Sequence, residues 1–130
     1  MYTARVSDFV VLFSALADPT RLRLLNLLQC GEVCVCYFVE ILGETQPKIS
    51  RHLAYLRRAG VVRARRDGKW IHYSLNKPSD ANAAAVLDAT LAAIASERQM
   101  QRDRLALQKA CCGSKLPASL ENAPRPQLVS

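Results

Sequence analysis

Apolar positions recur at spacings of three and four through Val6, Phe9, Val10, Phe13 and Leu16, which predicts an amphipathic helix over residues 4–16 with one face in the core. Asp18 then offers a capping carboxylate and Pro19 a proline at the first helical position. A second helix opens there, runs through Leu22, Leu25 and Leu28, and stops at Gly31. A third, short helix is built on Phe38, Ile41 and Leu42 and ends at Gly43. Thr45 caps a fourth, in which Ile49, Leu53 and Leu56 make the buried stripe and Gly60 supplies a left-handed stop. The period then changes. Val61 to Arg66 and Lys69 to Leu75 are rich in β-branched and aromatic residues and flank Asp67-Gly68, a dipeptide that favours a type I′ hairpin turn. After Pro78-Ser79, the alanine-rich run to about Ala110 predicts one long helix, with Ala84, Leu87, Leu91, Ile94 and Leu105 on a roughly heptad track. So much apolar helix surface exceeds what a small core covers, which predicts self-association. From Gly113 onward, Pro117, Pro124 and Pro126 oppose regular structure. The expected organisation is therefore one domain over residues 1–112 and a mobile tail over 113–130, mainly α with about five helices and a two-stranded β-hairpin.

Charge sharpens this picture. The net charge is +7, and between Glu44 and Lys77 nine cations face two anions, an excess of seven that equals the charge of the whole chain. That concentration spans the fourth helix and the hairpin, and it points to a polyanion such as nucleic acid. The polar face of the fourth helix carries Gln46, Lys48, Ser50, Arg51, His52 and Tyr55, with Thr45 at its start. These are donors, acceptors and a ring suited to base edges and phosphates. Arg65, Arg66 and Lys69 cluster at the hairpin tip, where they can follow a backbone or enter a minor groove. No stretch approaches the roughly 18 apolar residues of a membrane span, and no signal-peptide pattern opens the chain, so a cytoplasmic protein without membrane contact is expected.

A helix-turn-helix followed by a basic hairpin is a winged helix. The local sequences resemble the ArsR/SmtB family over about residues 8–76. The likeness rests on Leu16-Ala17-Asp18-Pro19-Thr20-Arg21-Leu22-Arg23-Leu24-Leu25, Glu32-Val33-Cys34-Val35-Cys36, Gln46-Pro47-Lys48-Ile49-Ser50-Arg51-His52-Leu53 and Gly68-Lys69-Trp70-Ile71-His72-Tyr73. The resemblance implies a homodimer, joined through its first and last helices, that binds an inverted-repeat operator and leaves it when a toxic metal or metalloid binds. The fourth helix would be the recognition helix, and half-sites would lie about one helical turn apart.

Five cysteines in a reducing compartment read as thiols for metal, inducer or redox chemistry. Cys34 and Cys36 sit at the start of the third helix, where the helix dipole favours the thiolate. Residues two apart on a helix point to nearly opposite sides, so joint ligation would require the backbone to depart from helix there, a distortion that could reposition the recognition helix. The resemblance implies trivalent arsenic or antimony as the inducer, with no permanently bound cofactor. The family's third cysteine, three positions after the second, is Val39 here, and Tyr37 follows the pair where an aspartate is common. Two thiolates suffice for a monomethylated arsenical; for arsenite, Cys111 and Cys112 resemble a vicinal pair used by other arsenic-responsive members. Cys30 reads as a packed residue. Soft metals such as Zn(II), Cd(II) and Cu(I) also suit thiolates, and a disulfide switch uses the same groups. Against zinc, the segment 79–110 has no histidine. Against an enzyme, Cys34-Val35-Cys36 is not a Cys-x-x-Cys motif and no βαβ alternation surrounds it.

Overall fold

The computed structural model describes residues 3–112 and 118–128, without the side chains of 112 and 118. Among them, six α-helices surround a small antiparallel sheet, in the order α1 (Val6–Leu16), α2 (Pro19–Leu28), β1 (Gly31–Cys34), α3 (Val35–Leu42), α4 (Gln46–Arg58), β2 (Val62–Asp67), β3 (Trp70–Leu75), α5 (Ala81–Ile94) and α6 (Arg98–Cys112). A 3₁₀ turn (Ala118–Leu120) and a two-residue strand, β4 (Gln127–Leu128), follow. Local chemistry sets the boundaries. The Asp18 carboxylate accepts the Arg21 N–H at 3.0 Å at the start of α2, and Thr45 accepts from Lys48 at 3.4 Å at the start of α4. Gly43, with φ 68°, ends α3 in the left-handed region, which a side chain would disfavour. The core joins Leu24, Leu25, Leu27, Phe38, Ile49, Leu53 and Leu56, all buried, beneath the sheet.

Four features differ from the sequence expectation. First, the β2–β3 hairpin forms as expected but does not stand alone: it belongs to a four-stranded sheet in the order β2-β3-β1-β4. The unforeseen strand β1 pairs with β3 at Val33↔Tyr73 and Cys34↔His72. The hairpin turn is also shifted by one residue, because Asp67 pairs with Trp70 and leaves Gly68-Lys69 as the loop. Only Gly68 has positive φ there, the pattern of a type II′ turn.

Second, the predicted long helix breaks after Ile94. Polar partners on α2 account for the break. Arg23 pairs with buried Asp103 at 2.7 Å, buried Asn26 donates to the Met100 carbonyl at 3.0 Å, and Arg104 donates both to Asn26 Oδ1 at 2.5 Å and to the Ala95 carbonyl left open at the end of α5. A straight helix would carry these groups away from α2 and leave Asn26 buried without partners. Met100, Leu107, Ala110 and Cys111 form the buried side of α6, whereas Leu105, expected on the apolar track, is 56% exposed.

Third, α1 is not wholly core-facing. Val6, Val10 and Phe13 are 81%, 59% and 53% exposed and form a stripe at i, i+4, i+7. The argument for self-association therefore moves from the last helix, which is folded onto its own domain, to this stripe.

Fourth, the prolines of the segment from residue 113 do not exclude regular structure in the described residues 118–128: Leu120 is fully buried and β4 pairs with β1 at Gly31↔Leu128 and Glu32↔Gln127. No described helix is long and apolar enough to cross a membrane.

Replacing Asp103 by Ala removes the acceptor of both Arg23 and Gln99. It should lower unfolding free energy by about 1.5–3 kcal/mol, read by urea denaturation of the full chain.

Candidate nucleic-acid interface and thiol site

Helix α4, expected from the sequence as the recognition helix, is fixed from behind by Ile49, Leu53 and Leu56, which are fully buried. Its outward face presents Gln46, Lys48 and Arg51, all exposed, with Ser50 half-buried. Thr45 is also exposed, but its hydroxyl serves as the helix cap. His52 and Tyr55, read from sequence among the DNA-facing residues, are half-buried and lie against α2. Arg21 of α2 stacks 4.2 Å above the Tyr55 ring, approaches His52 Nδ1 at 3.3 Å, and donates to the Ala15 and Ser14 carbonyls at 2.7 and 2.9 Å. One guanidinium thus closes the end of α1 and seats α4 on α2. Sequence reasoning missed this role of Arg21, although its place two residues inside a capped helix offered a signal.

At the wing, Arg65, Arg66 and Lys69, expected from the sequence at a DNA interface, are exposed. Lys69 lies 5.1 Å from the Trp70 ring centre. Arg65 is engaged by a residue the sequence reading did not single out: its guanidinium donates to both carboxylate oxygens of Glu32 on β1, at 2.6 and 3.2 Å. That hydrogen bond lowers the Glu32 pKa and raises that of Arg65. The wing is therefore tied to β1 by a backbone ladder and by a forked ion pair.

β1 ends at Cys34. This residue is extended, with φ −72° and ψ 145°, and occupies the cap position before α3, while Cys36 lies within the helix. The expected geometric conflict is thereby removed, because only one of the two thiols is on the helix. The two Sγ atoms are 3.1 Å apart. Cys34 is fully buried and Cys36 half-buried.

The thiolate expected at Cys36 is corrected as well. Burial first, and the neighbouring Cys34 thiol second, push the Cys36 pKa up to about 12, and the Cys36 and Tyr37 backbone N–H groups at the helix start oppose this only in part. Cys30, at the end of α2, is half-buried, and burial raises its pKa too. Cys111 is buried on α6, where its thiol donates to the Pro126 carbonyl at 3.1 Å. The Cys112 side chain lies outside the described residues. Among the described residues, no three His, Cys, Asp or Glu side chains converge as a metal site, so Cys111 is not already gathered to the pair.

A recognition helix buttressed on a second helix, beside a basic β-ribbon, defines a winged helix-turn-helix DNA-binding regulator. The comparisons make this particular. Residues 18–64 match the model of the bacterial regulatory protein arsR family. The arsenical resistance operon repressor of Escherichia coli K12 is 49% identical over 80 residues, covering 61% of this chain and 68% of the repressor. Among solved structures, the AntR antimony-specific transcriptional repressor is 33% identical with a TM-score of 0.56, covering 75% of this chain and 86% of that one. HlyU from Vibrio cholerae N16961 is 31% identical with a TM-score of 0.55, covering 64% and 87%. The chain belongs to the arsR family, and it is a transcriptional regulator, not an enzyme.

The raised Cys36 pKa has a kinetic consequence. At pH 8 its alkylation by iodoacetamide should run more than about tenfold slower than that of free cysteine and keep rising with pH beyond 9, as followed by peptide mass spectrometry. Because the folded chain holds this proton more tightly than the unfolded one, the associated stability is present below about pH 9 and is lost as pH rises toward 12.

Proposed function

We propose that this regulator is a homodimeric repressor that binds an inverted-repeat operator through α4 and the wing, and releases it when Cys34 and Cys36 capture trivalent arsenic or antimony. The observation that carries the inducer is the 3.1 Å separation of the two sulfurs. With metal–sulfur bonds of about 2.3 Å, that bite subtends an angle of about 85° at the bound atom, well below the tetrahedral value that a structural zinc site adopts. A pyramidal trivalent centre with a lone pair tolerates such an angle. Arsenous acid reacts with the two thiols to give a dithiolate that retains one hydroxyl, and two waters leave with the thiol protons. Two sulfurs therefore suffice, and the site needs neither Cys111 nor Cys112. The names of the two arsenic and antimony repressors it is similar to support the same inducer class.

The route to DNA differs from a distorted helix start. Cys34 faces His72 of β3 in the ladder, and Glu32, two residues before it, grips Arg65. Displacing Cys34 on capture would shift β1 and with it the wing. Coupling is reciprocal: an inducer that weakens operator binding a hundredfold binds the operator complex about 2.7 kcal/mol less tightly. The exposed stripe of Val6, Val10 and Phe13 supports α1 as the dimer face, and the dimer gives two recognition helices about one DNA turn apart.

Two measurements test this. In fluorescence anisotropy with operator DNA, Cys34→Ser and Cys36→Ser should each stay bound at arsenite concentrations that strip the parent, while Cys111→Ser releases like the parent. Parent-like release by both of the first two variants would sink the assignment. Replacing Arg66 or Lys69 by Ala should weaken operator binding across sequences and reduce the slope of log K against log salt by about 1 each.

A further inference from the structure

The segment after α6 is anchored at five points. Leu120 is fully buried in the core beside α3, and the Ser119 hydroxyl donates to the Glu40 carboxylate of that helix at 2.5 Å. The Cys111 thiol donates to the Pro126 carbonyl at 3.1 Å, and the Arg125 guanidinium donates to the Cys111 carbonyl at 3.3 Å. Finally, β4 pairs with β1. The approach there is close enough that a Cβ on Gly31 would lie 2.2 Å from the Gln127 carbonyl oxygen, and Gly31 has φ 142°, so backbone and packing both demand glycine.

The direction of this segment matters. Leu128 pairs with Gly31 and Gln127 with Glu32, so in this antiparallel pair the end of β4 from which the chain enters lies toward the Cys34 end of β1. Ala123 and Leu128 pack against the core cluster that contains Cys34 and is flanked by Cys36. The strand bearing the thiol pair thus has the wing on one side and the C-terminal segment on the other.

We propose that residues 118–128 form a strap that restricts the access of thiophiles to Cys34 and Cys36, and that the Cys111 thiol is the latch that seats it. The strap fixes how readily the pair is reached, not what the pair binds. The proposal rests on Cys34 and Cys36 as the capturing thiols, but its test uses no arsenical, so the two readings can fail separately.

The test is the rate of iodoacetamide alkylation at Cys34 and Cys36 in the folded full chain, resolved by peptide mass spectrometry. Leu120→Asp, which unseats the 3₁₀ turn, and Cys111→Ala, which removes the donor to Pro126, should each accelerate both sites by about fivefold or more, the effect of losing one hydrogen bond from a local opening equilibrium. Cys111→Ser keeps a donor and should stay within about twofold of the parent. Should Leu120→Asp fail to fold, as seen by circular dichroism, the Cys111 pair of variants decides alone. Equal rates for the parent, Cys111→Ala and Cys111→Ser would overturn the latch, and a folded Leu120→Asp with parental rates would overturn the strap.

Discussion

The pairing of β1 with the wing strand β3 is the constraint on which the other features depend. Val33 and Cys34 are held opposite Tyr73 and His72, so the chain is extended up to Cys34 and becomes helical immediately after it. A thiol at the last extended residue and another at the second helical position can face each other; two thiols inside one helix could not. The same ladder makes a structural sheet of what would otherwise be an isolated hairpin, a form only marginally stable in water. It also gives the C-terminal strand an edge to join, and leaves Glu32 positioned to grip Arg65. Thiol pair, wing and tail are thus three attachments to one four-residue strand.

The DNA-reading half is held by different means. Its seat is apolar, through Ile49, Leu53 and Leu56, and it is oriented by Arg21, whose guanidinium spans the end of α1, the Tyr55 ring and His52. The aromatic and histidine members of the expected DNA-facing stripe are spent on this internal contact, and the most exposed cationic and amide side chains remain outward. Helical spacing alone does not make the division, because Lys48, Arg51, His52 and Tyr55 share one face of α4 at intervals of three, four and seven; it is made by Arg21, which contacts the Tyr55 ring and His52.

Much of this was legible in the sequence because it was written locally. Capping residues at Asp18 and Thr45, glycine stops at Gly43 and Gly60, and the β-branched runs around Gly68 each decide their element within a few neighbours. Three features were not local. β1 has only four residues and no alternation long enough to register, and its partner lies about forty residues away in the chain. The break between α5 and α6 is invisible to helix propensity because nothing at Ala95 or Ser96 stops a helix; Asn26 and Arg23, far upstream, draw α6 back. The tail was read from its prolines alone, yet Pro126 needs no N–H of its own to accept the Cys111 thiol, and Leu120 has a hole to fill. For the site, the residue types were legible in the sequence, while the separation of the sulfurs and the protonation of Cys36 were not, since the first arises from the non-local pairing of β1 with β3 and the second from burial.

That protonation bears on which ligand the pair suits. A divalent metal ion binds the thiolate, so at neutral pH it must first displace a proton from Cys36, whose pKa burial and its neighbour have pushed up to about 12. Trivalent arsenic and antimony arrive as hydroxides. Each hydroxyl takes up a thiol proton and departs as water in the step that forms the sulfur bond, so no free thiolate is needed beforehand. A buried, protonated Cys36 therefore handicaps divalent soft metals far more than it handicaps a trivalent hydroxide. The same protonation slows oxidation, which also proceeds through the thiolate. Burial, which at first sight makes Cys36 a poor nucleophile, acts under the proposed function as a filter: it disfavours metal ions and oxidants relative to ligands that carry their own base.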